Sequence, residues 1–245
     1  MSAVTFEEAV RRVLGAPETG RRLSAHFCSA NMIVEASRNP TLQVALNGAE
    51  LVAPDGMPMV WLGRMRGYPV ERVCGPDFMP AILDRSRAAG RRHFFYGGAE
   101  GVSSRLATLM EGRFPGLQVA GAYSPPFRDL TKEEDDEVTD RINAARPDYV
   151  WVGLSTPKQD LWVFEHRQRL RSSAVLAVGA AFDFLAGRQG RAPRWMQRTG
   201  MEWSFRLLSE PQRLGRRYTL TNIQFIAIVC ADAMRSLGGR AARHR

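Results

Sequence analysis

The sequence has few cysteines, little lysine and no long apolar run. Cys28, Cys74 and Cys230 form no CxxC pair and are odd in number, so neither a disulfide framework nor a zinc site is supported, and a reducing cytoplasm fits best. The longest apolar run, 223–234, is interrupted by polar residues, whereas a membrane-spanning helix needs about 20 apolar residues. We therefore expect no transmembrane helix, and the N-terminal residues lack the apolar run of a signal peptide.

Two common kinds of catalytic site are also missing from the sequence. The four histidines are scattered, and there is neither a DxD motif nor a His/Asp/Glu group with metal-ligand spacing, which disfavours metal-assisted chemistry. A nicotinamide-dependent oxidoreductase would need GxGxxG with an acidic residue about 20 positions later. Neither Gly97-Gly98 nor Gly179 begins such a motif, so this class of enzyme is disfavoured too.

Positive charge is confined to one end of the chain. Residues 1–187 carry 22 Lys/Arg and 22 Asp/Glu, so the formal net charge of +9 lies in residues 188–245, which hold 12 arginines and three acidic residues. A cationic end on a neutral body predicts contact with phosphate groups, an anionic membrane surface or nucleic acid, although a solvated helix face is the plain alternative. Because no nucleic-acid-binding module is recognisable, we expect no nucleic acid partner.

Short, β-prone apolar runs alternate with helical patterns up to about residue 187. Strands are predicted at 23–28, 51–53, 93–96, 119–123, 149–152 and 175–178, with helical segments between them from about residue 31 onward. This alternation predicts an α/β fold, a mostly parallel sheet with helices on both faces. After Pro193 only helical patterns follow, so we predict a core over residues 1–189 and a helical, arginine-rich appendage over residues 190–245.

The predicted appendage also contains apolar residues at helical spacing. Ile223, Ile226, Ala227 and Cys230 would form one stripe, which could face either lipid or the protein core.

Ligands of open parallel sheets bind at the carboxyl ends of the strands, and two predicted strand ends carry an acidic residue or a glycine pair. Asp55, in Ala-Pro-Asp-Gly, is either a general base at the mouth of the sheet or the residue of an Asx-turn. Gly97-Gly98 would let backbone N–H groups approach a phosphate at a helix N-terminus, although Gly-Gly turns are common.

Two later strand ends carry side chains that could recognise a ligand. Gln159 would face the crevice with an amide able to recognise a sugar or uracil, whereas the neighbouring Ser155 and Thr156 could simply cap the helix. Asp183 is equally compatible with a helix cap and with a contact to a ligand hydroxyl.

Seven motifs occur in a fixed order along the chain. They are PDGMPMVW, ERVCGPDFM, FFYGGAEGV, VGLSTPKQDLW, VGAAFDFLAG, RAPRWMQ and MEWSFRLLSEPQRLGRR. Together they resemble the WecG/TagA/CpsF glycosyltransferases (glycosyltransferase family 26) over roughly residues 22 to 220. The resemblance implies a Rossmann-like core with a C-terminal helical appendage that approaches the membrane and completes the active site.

The resemblance also implies an activity in bacterial cell-surface or exopolysaccharide biosynthesis. The enzyme would be inverting and metal-independent, and would move a sugar of the N-acetylmannosamine type or a related hexose from a UDP-sugar to a polyprenyl-diphosphate-linked sugar. The UDP-sugar is a co-substrate, and no cofactor or metal is expected. The protein would be cytoplasmic and peripheral on the anionic inner leaflet of the cytoplasmic membrane. Homo-oligomer formation is left open.

Roles carry over to individual residues where the motifs match. Asp55 of PDG corresponds to the family's proposed base, and Arg72 of ERVxG to a contact of the diphosphate. The appendage arginines correspond to Arg206, Arg213 and Arg216, which would bind the diphosphate of the acceptor.

The chain departs from the family where many members have Thr-x-Asn after the first strand. Ser29 stands at the usual asparagine position, and Asn31 follows two residues later. The residues predicted to bind the donor are Ser29, Asn31, Gly97, Gly98, Gln159 and Asp183. The departure leaves the sugar identity open, and with it the alternative of a catalytically silent, membrane-associated nucleotide-sugar-binding protein of the same fold.

Overall fold

A computed structural model describes residues 1–209 and 211–241, and at residues 198, 203, 206, 208–209, 211–219 and 236–241 it describes the backbone alone. The strands are β1 (Leu23–Cys28), β2 (Leu51–Pro54), β3 (Arg92–Gly97), β4 (Gln118–Tyr123), β5 (Tyr149–Gly153) and β6 (Ala174–Ala177). The helices of the first half are α1 (Phe6–Leu14), α2 (Ala16–Thr19), α3 (Ala30–Ala36), α4 (Pro40–Asn47), α5 (Met57–Met65), α6 (Gly75–Ser86) and α7 (Val102–Arg113). Those of the second half are α8 (Lys132–Ala144), α9 (Lys158–His166), α10 (Ala181–Leu185), α11 (Arg194–Arg198), α12 (Glu202–Ser209) and α13 (Pro211–Ala241).

The strands form one parallel sheet in the order β2-β1-β6-β5-β3-β4. Each of the predicted strands is present within one residue at either end, which confirms the α/β prediction. The chain leaves β3 toward β4 on one side and leaves β5 toward β6 on the other. Because such a reversal between neighbouring strands opens a crevice at their carboxyl ends, the fold itself places a ligand site beside β3 and β5.

Both faces of the sheet are covered by helices, as a parallel sheet requires. Phe27 and Trp151 belong to the larger core layer, which α1, α6, α7 and α10 cover. Val150 and Val152 point to the opposite face and pack beneath α8 and α9. Helix α13 reaches this second face through Phe225, which packs against a small cluster formed by the end of β1, β2, α3 and α5.

Helix α1 was missed by the sequence analysis. Thr5 caps it by accepting a hydrogen bond from the backbone N–H of Glu8 at 3.2 Å, and Ala9, Val10 and Val13 are buried in the core. The acidic and basic residues of this stretch lie on its outer face, while Phe6, Ala9, Val10, Val13 and Leu14 follow the i, i+3, i+4, i+7, i+8 spacing of an amphipathic helix. The signal for this helix is therefore present in the sequence.

After β6 the described part of the chain is helical, and several contacts join it to the sheet domain. Gly200 lies against Trp61 of α5, Arg66 pairs with Asp232 of α13, and Glu202 pairs with a residue that precedes α6. No helix in the described ranges is long and apolar enough to cross a membrane. The division of the chain between residues 189 and 190 stays a prediction.

The apolar stripe of α13 faces outward. Ile223 and Ile226 are each 60% exposed, and Ala227 and Cys230 are exposed as well. Of the two orientations left open by the sequence, the core-facing one is therefore wrong.

Candidate active site

Two predicted site residues lie side by side at the ends of β1 and β2. The backbone N–H of Asp55 donates to the carbonyl oxygen of Cys28 at 2.8 Å, which extends the pairing of the two strands by one residue. Ser29 caps α3, because its Oγ accepts from the N–H of Met32 at 3.4 Å. Asn31 follows in the first turn of α3 and is half-buried. The side chain at position 29 thus has a structural role that serine fulfils.

Gly97 and Gly98 lie in the crevice between β3 and β5, where the backbones come very close. A Cβ at Gly97 would lie 2.5 Å from the carbonyl oxygen of Gly153, and both glycines have positive φ, of +124° and +72°. The N–H of Gly98 donates to the same oxygen at 2.8 Å. That N–H is therefore engaged within the protein, so a phosphate here would meet the groups that follow Gly98, toward the start of α7.

Gln159 is buried beside β6 with one half of its amide unpaired. It is 3% exposed, and its Nε2 donates to the carbonyl oxygen of Ala177 at 3.2 Å. Its Oε1 is buried and has no hydrogen-bond partner among the described residues. Since an unpaired buried oxygen costs about 1–3 kcal/mol, this atom marks a place where a ligand donor would be stabilising.

The next residue, Asp160, is fully buried and anchors the start of α9. Its Oδ1 accepts a hydrogen bond from Nδ1 of His26 at 2.8 Å, and its Oδ2 has no partner in the described part of the chain. Neither Ser155 nor Thr156 caps α9, because this helix begins without a side-chain cap. The capping interpretation of these two residues is therefore wrong.

Asp183 is half-buried in the first turn of α10, which also has no side-chain cap. Its Oδ1 lies 3.8 Å from a guanidinium nitrogen of Arg188. The cap interpretation is not what the structure shows, and the contact to a ligand hydroxyl stays a prediction.

Arg72 is held between α5 and α6 by acidic groups. Its Nη2 donates to Oε2 of Glu202 at 2.6 Å, its Nη1 lies 3.6 Å from Oδ2 of Asp77, and its buried Nε has no hydrogen-bond partner in the described residues. Burial by itself would lower the pKa of Arg72, but the neighbouring Cys74, Asp55 and Glu202 together raise it above its ordinary value. Arg72 is therefore a fixed positive charge beside Asp55.

Asp55 influences two buried thiols as well. Burial is the largest cause of the raised pKa of Cys28, at about 12, and of the pKa of Cys74, which lies well above its ordinary value. The Asp55 carboxylate adds to both shifts. The N–H of Val73 donates to the carbonyl oxygen of Pro54 at 2.8 Å, so the backbones next to Arg72 and Asp55 are in contact, and the structure brings the two predicted catalytic residues close together.

Arg191 completes this group and was not among the predicted site residues. Its Nη1 and Nη2 donate to the two carboxylate oxygens of Asp77 at 2.6 and 3.0 Å, and its Nη2 also donates to Oε1 of Gln197 at 3.1 Å. The Sγ of Cys74 donates to Oδ2 of Asp77 at 3.0 Å. The RAPRWMQ and ERVCGPDFM motifs contain these residues, but nothing in either motif indicates that they meet.

A cleft of about 750 Å³ opens beside this group. Its lining consists of Met57, Val60, Arg64, Glu71, Arg72, Asp77, Arg191, Arg194 and Gln197. Four of these are arginines and two are acidic, so the cleft offers several guanidinium groups to an anionic ligand. Among the described residues no group of His, Cys, Asp and Glu could hold a metal ion. The side chains of Arg206, Arg213 and Arg216 lie outside the described residues.

Comparison with known proteins identifies the family to which these residues belong. The model of the glycosyl transferase WecG/TagA/CpsF family matches residues 1–238. The chain belongs to this family. It is therefore a glycosyltransferase, and the resemblance seen in the motifs is confirmed.

Curated relatives of this WecG/TagA/CpsF glycosyltransferase are 28% to 32% identical to it over the aligned residues. An N-acetylglucosaminyldiphosphoundecaprenol N-acetyl-beta-D-mannosaminyltransferase of Bacillus spizizenii is 32% identical over 187 residues, which cover 76% of this chain and 71% of the relative. Proteins of the same name are 28% identical in Bacillus subtilis, over 72% of this chain and 69% of the relative, and in Staphylococcus aureus, over 78% and 73%.

The bond between Asp77 and Arg191 predicts a measurable effect on stability. Asp77→Asn should lower the free energy of unfolding by about 1–2 kcal/mol, because a charge-assisted, bidentate contact is lost. Asp84→Asn is the matched control, since Asp84 makes an exposed pair with Arg87 on the same helix and should cost about 0.5 kcal/mol or less. Urea denaturation at neutral pH measures both.

The same pair of variants should differ in pH dependence. Burial would raise the pKa of Asp77, but hydrogen bonds from Arg191 and Cys74 lower it below its ordinary value. A lowered pKa in the folded state contributes stability above the ordinary Asp pKa of about 3.9 and loses it as pH falls through the folded value. The gap between wild type and Asp77→Asn should therefore close below about pH 4. Equal losses from Asp77→Asn and Asp84→Asn would show that the bidentate contact adds nothing beyond a surface ion pair.

Proposed function

We propose that this glycosyltransferase moves a sugar from a UDP-sugar to a polyprenyl-diphosphate-linked sugar by a single, inverting displacement that needs no metal. The observation that carries the proposal is the backbone contact from Val73 to Pro54, at 2.8 Å, which places Asp55 and Arg72 together at the carboxyl end of the sheet, beside the arginine-lined cleft. The names of the relatives support an acceptor of the N-acetylglucosaminyl-diphosphoundecaprenol class and a donor sugar of the N-acetylmannosamine type or a related hexose. Such a reaction belongs to bacterial cell-surface or exopolysaccharide biosynthesis.

Asp55 is the proposed general base. It takes the proton from the acceptor hydroxyl while that oxygen attacks the anomeric carbon from the face opposite UDP, so the configuration at this carbon inverts. The carboxylate is suited to this task because it lies at the end of β2, half-buried, and next to the first turn of α5, where Met57 already lines the cleft. An acceptor lying in the cleft would thus reach Asp55 without any rearrangement of the sheet.

Arg72 is the proposed contact of the leaving diphosphate. Its planar guanidinium can bind two phosphate oxygens at once, and it stays protonated at any physiological pH. In the structure Glu202 holds its Nη2, and phosphate oxygens would take the place of this carboxylate when the donor binds. The negative charge that develops on UDP is then met by arginine, which supports a displacement without a bound metal.

The crevice between β3, β5 and β6 is the proposed donor site. The unpaired Oε1 of Gln159 can accept a hydrogen bond from the uracil N–H or a sugar hydroxyl, and Asp183 can accept from a second hydroxyl. Gly97 and Gly98 shape the floor of the crevice, while Ser29 and Asn31 line the neighbouring strand end.

The helices after residue 190 are proposed to form the acceptor side of the enzyme. Arg206, Arg213 and Arg216 would bind the acceptor diphosphate together with the arginines of the cleft. The excess of positive charge in this part of the chain supports docking on an anionic inner leaflet, which would make the protein peripheral on the cytoplasmic face of the membrane. The outward-facing stripe of α13 is consistent with such docking.

We expect Asp55→Asn to lower the rate of transfer by about 10²–10⁴, which is the usual contribution of a general base. The dissociation constant of UDP should change by no more than a few-fold, since the side chain keeps its shape. Transfer is measured by mass spectrometry of products from synthetic lipid-diphosphate acceptors and a panel of UDP-sugars, with Asp84→Asn as control. Normal turnover in folded Asp55→Asn would mean that Asp55 only forms a turn, because asparagine replaces aspartate well there. A wild-type protein that binds UDP but transfers no sugar would instead be the catalytically silent alternative.

Activity should survive excess EDTA, because guanidinium groups meet the charge of both diphosphates. The measurement is the initial rate with and without EDTA, and with Mg²⁺ or Mn²⁺ added back. An activity that chelation abolishes and a divalent ion restores would refute the metal-independent mechanism.

Arg213→Ala and Arg216→Ala should raise the KM for the diphosphate acceptor more than they change donor binding, because each removes one charge-assisted contact. Arg235→Ala is the control, since Arg235 lies exposed later on the same helix. Steady-state kinetics with the acceptor varied, and UDP titration calorimetry, separate the two effects. If all three variants behave alike, the first two arginines do not bind the acceptor.

A further inference from the structure

Large apolar side chains are exposed around the mouth of the arginine-lined cleft. Trp61, Met65 and Tyr68, on α5 and just after it, are 47%, 82% and 54% exposed. Trp195 on α11 and Met201 before α12 are 59% and 43% exposed. We call these five residues the cleft rim.

Both walls of the cleft place the rim next to residues that line the interior. On α5, Met57, Val60 and Arg64 line the cleft. Trp61 follows Val60 and Met65 follows Arg64, so each lies about 100° further round the helix than the residue before it. On the opposite wall Arg194 lines the cleft and its neighbour Trp195 is exposed. Each wall therefore presents guanidinium inward and apolar surface outward.

The two halves of the rim are continuous across one close contact. Gly200 has φ of +74°, and a Cβ placed on it would lie 2.9 Å from the Trp61 ring and 3.0 Å from the Cβ of Met57. The turn between α11 and α12 thus lies directly against α5. Because Met201 follows Gly200, this contact joins the exposed apolar groups of α5 to those around α11 and α12.

The charges around the patch fit an anionic lipid surface. Arg64 and Arg66 flank Met65, and Arg194 precedes Trp195. The charge of Arg66 is balanced by an ion pair with Asp232. Tryptophan and tyrosine next to basic residues are the side chains that favour the headgroup region of a bilayer.

We propose that the cleft rim is a membrane-contact surface, which holds the mouth of the cleft at the level of the lipid headgroups. The proposal rests on the function proposed above, because an acceptor on an isoprenoid chain must enter the cleft from the bilayer. It assigns membrane contact to α5 of the sheet domain, and not only to the basic helices after residue 190. The isoprenoid stays in the bilayer while its diphosphate reaches the arginines.

The test uses Trp61→Ser/Met65→Ser in the full chain, with Val44→Ser/Leu109→Ser as matched control. Val44 and Leu109 are 58% and 42% exposed on α4 and α7, away from the cleft. Met65→Ser alone is added because the Trp61 ring lies against Gly200, and its removal could disturb the turn between α11 and α12. Binding to phosphatidylglycerol vesicles is measured by co-sedimentation, and UDP affinity by calorimetry.

We expect the rim double variant to lose about tenfold in vesicle affinity, Met65→Ser to lose less, and the control to lose nothing, with unchanged UDP affinity throughout. Transfer to an acceptor with a long isoprenoid in vesicles should fall in parallel, while transfer to a short-chain, water-soluble acceptor should stay at the wild-type rate.

Several results would overturn the proposal. Equal vesicle binding by wild type, rim variants and control would do so, as would a wild-type dimer that the rim substitutions convert to monomer without any change in vesicle binding. A failure of the proposed function gives a different result. The wild-type protein would then transfer no sugar to either acceptor, independently of how the rim variants bind vesicles.

Discussion

The ionic group of Arg72, Asp77, Arg191 and Glu202 is the contact on which the site depends. Arg72 precedes α6 and Asp77 lies in its first turn, Arg191 lies in the loop before α11, and Glu202 begins α12, so three separate segments meet through four charges. Each charge is partly withdrawn from water, and each is stabilised by an opposite one, because an isolated charge at this depth would be costly. The group therefore holds the cleft open between the sheet domain and the C-terminal helices, and at the same time keeps guanidinium groups beside Asp55.

The balance of charge in this group also bears on the chemistry. Arg72 and Arg191 both lie next to Asp77, and Arg72 also pairs with Glu202. Two positive and two negative charges thus balance, so this group is neutral without a ligand. A diphosphate that enters can replace a carboxylate on Arg72 instead of having to strip water from a bare cation, and the guanidinium is already oriented for it. Preorganised arginine is thus a reasonable substitute for a divalent ion at a leaving diphosphate, whereas a flexible lysine would need to be ordered first.

The sheet could be predicted from the sequence because five of its strands are largely buried and read as short apolar runs between turns, while the edge strand β4 is only half-buried. The family could be predicted from the order of the motifs. What could not be predicted depends on distant parts of the chain coming together. The bond from Arg191 to Asp77 joins positions 114 residues apart, and the Arg72–Glu202 contact spans 130. Helix caps could not be predicted reliably either. Ser29 does cap α3, whereas Ser155 and Thr156, which have suitable side chains, do not cap α9. The N-cap position of α9 is Pro157, whose side chain cannot accept a hydrogen bond.

Helix α5 connects the chemistry to the surroundings of the protein. Its first residue follows Asp55 and Gly56 at the end of β2, one face packs into the core through Met59, the next lines the cleft through Val60 and Arg64, and the third is exposed. A rigid helix of nine residues spans about 12 Å from its first to its last residue at about 1.5 Å per residue, so it fixes the distance between Met57, two residues after the proposed base, and the outermost methionine, Met65. The whole bilayer exceeds its hydrocarbon core by about 10–15 Å, which is about 5–8 Å for the headgroup region of each leaflet, so the helix is long enough to span one such region and leave room for a diphosphate. An enzyme whose acceptor is fixed at such an interface needs its base at a constant height above it, and a single short helix between the two is the simplest structure that provides this.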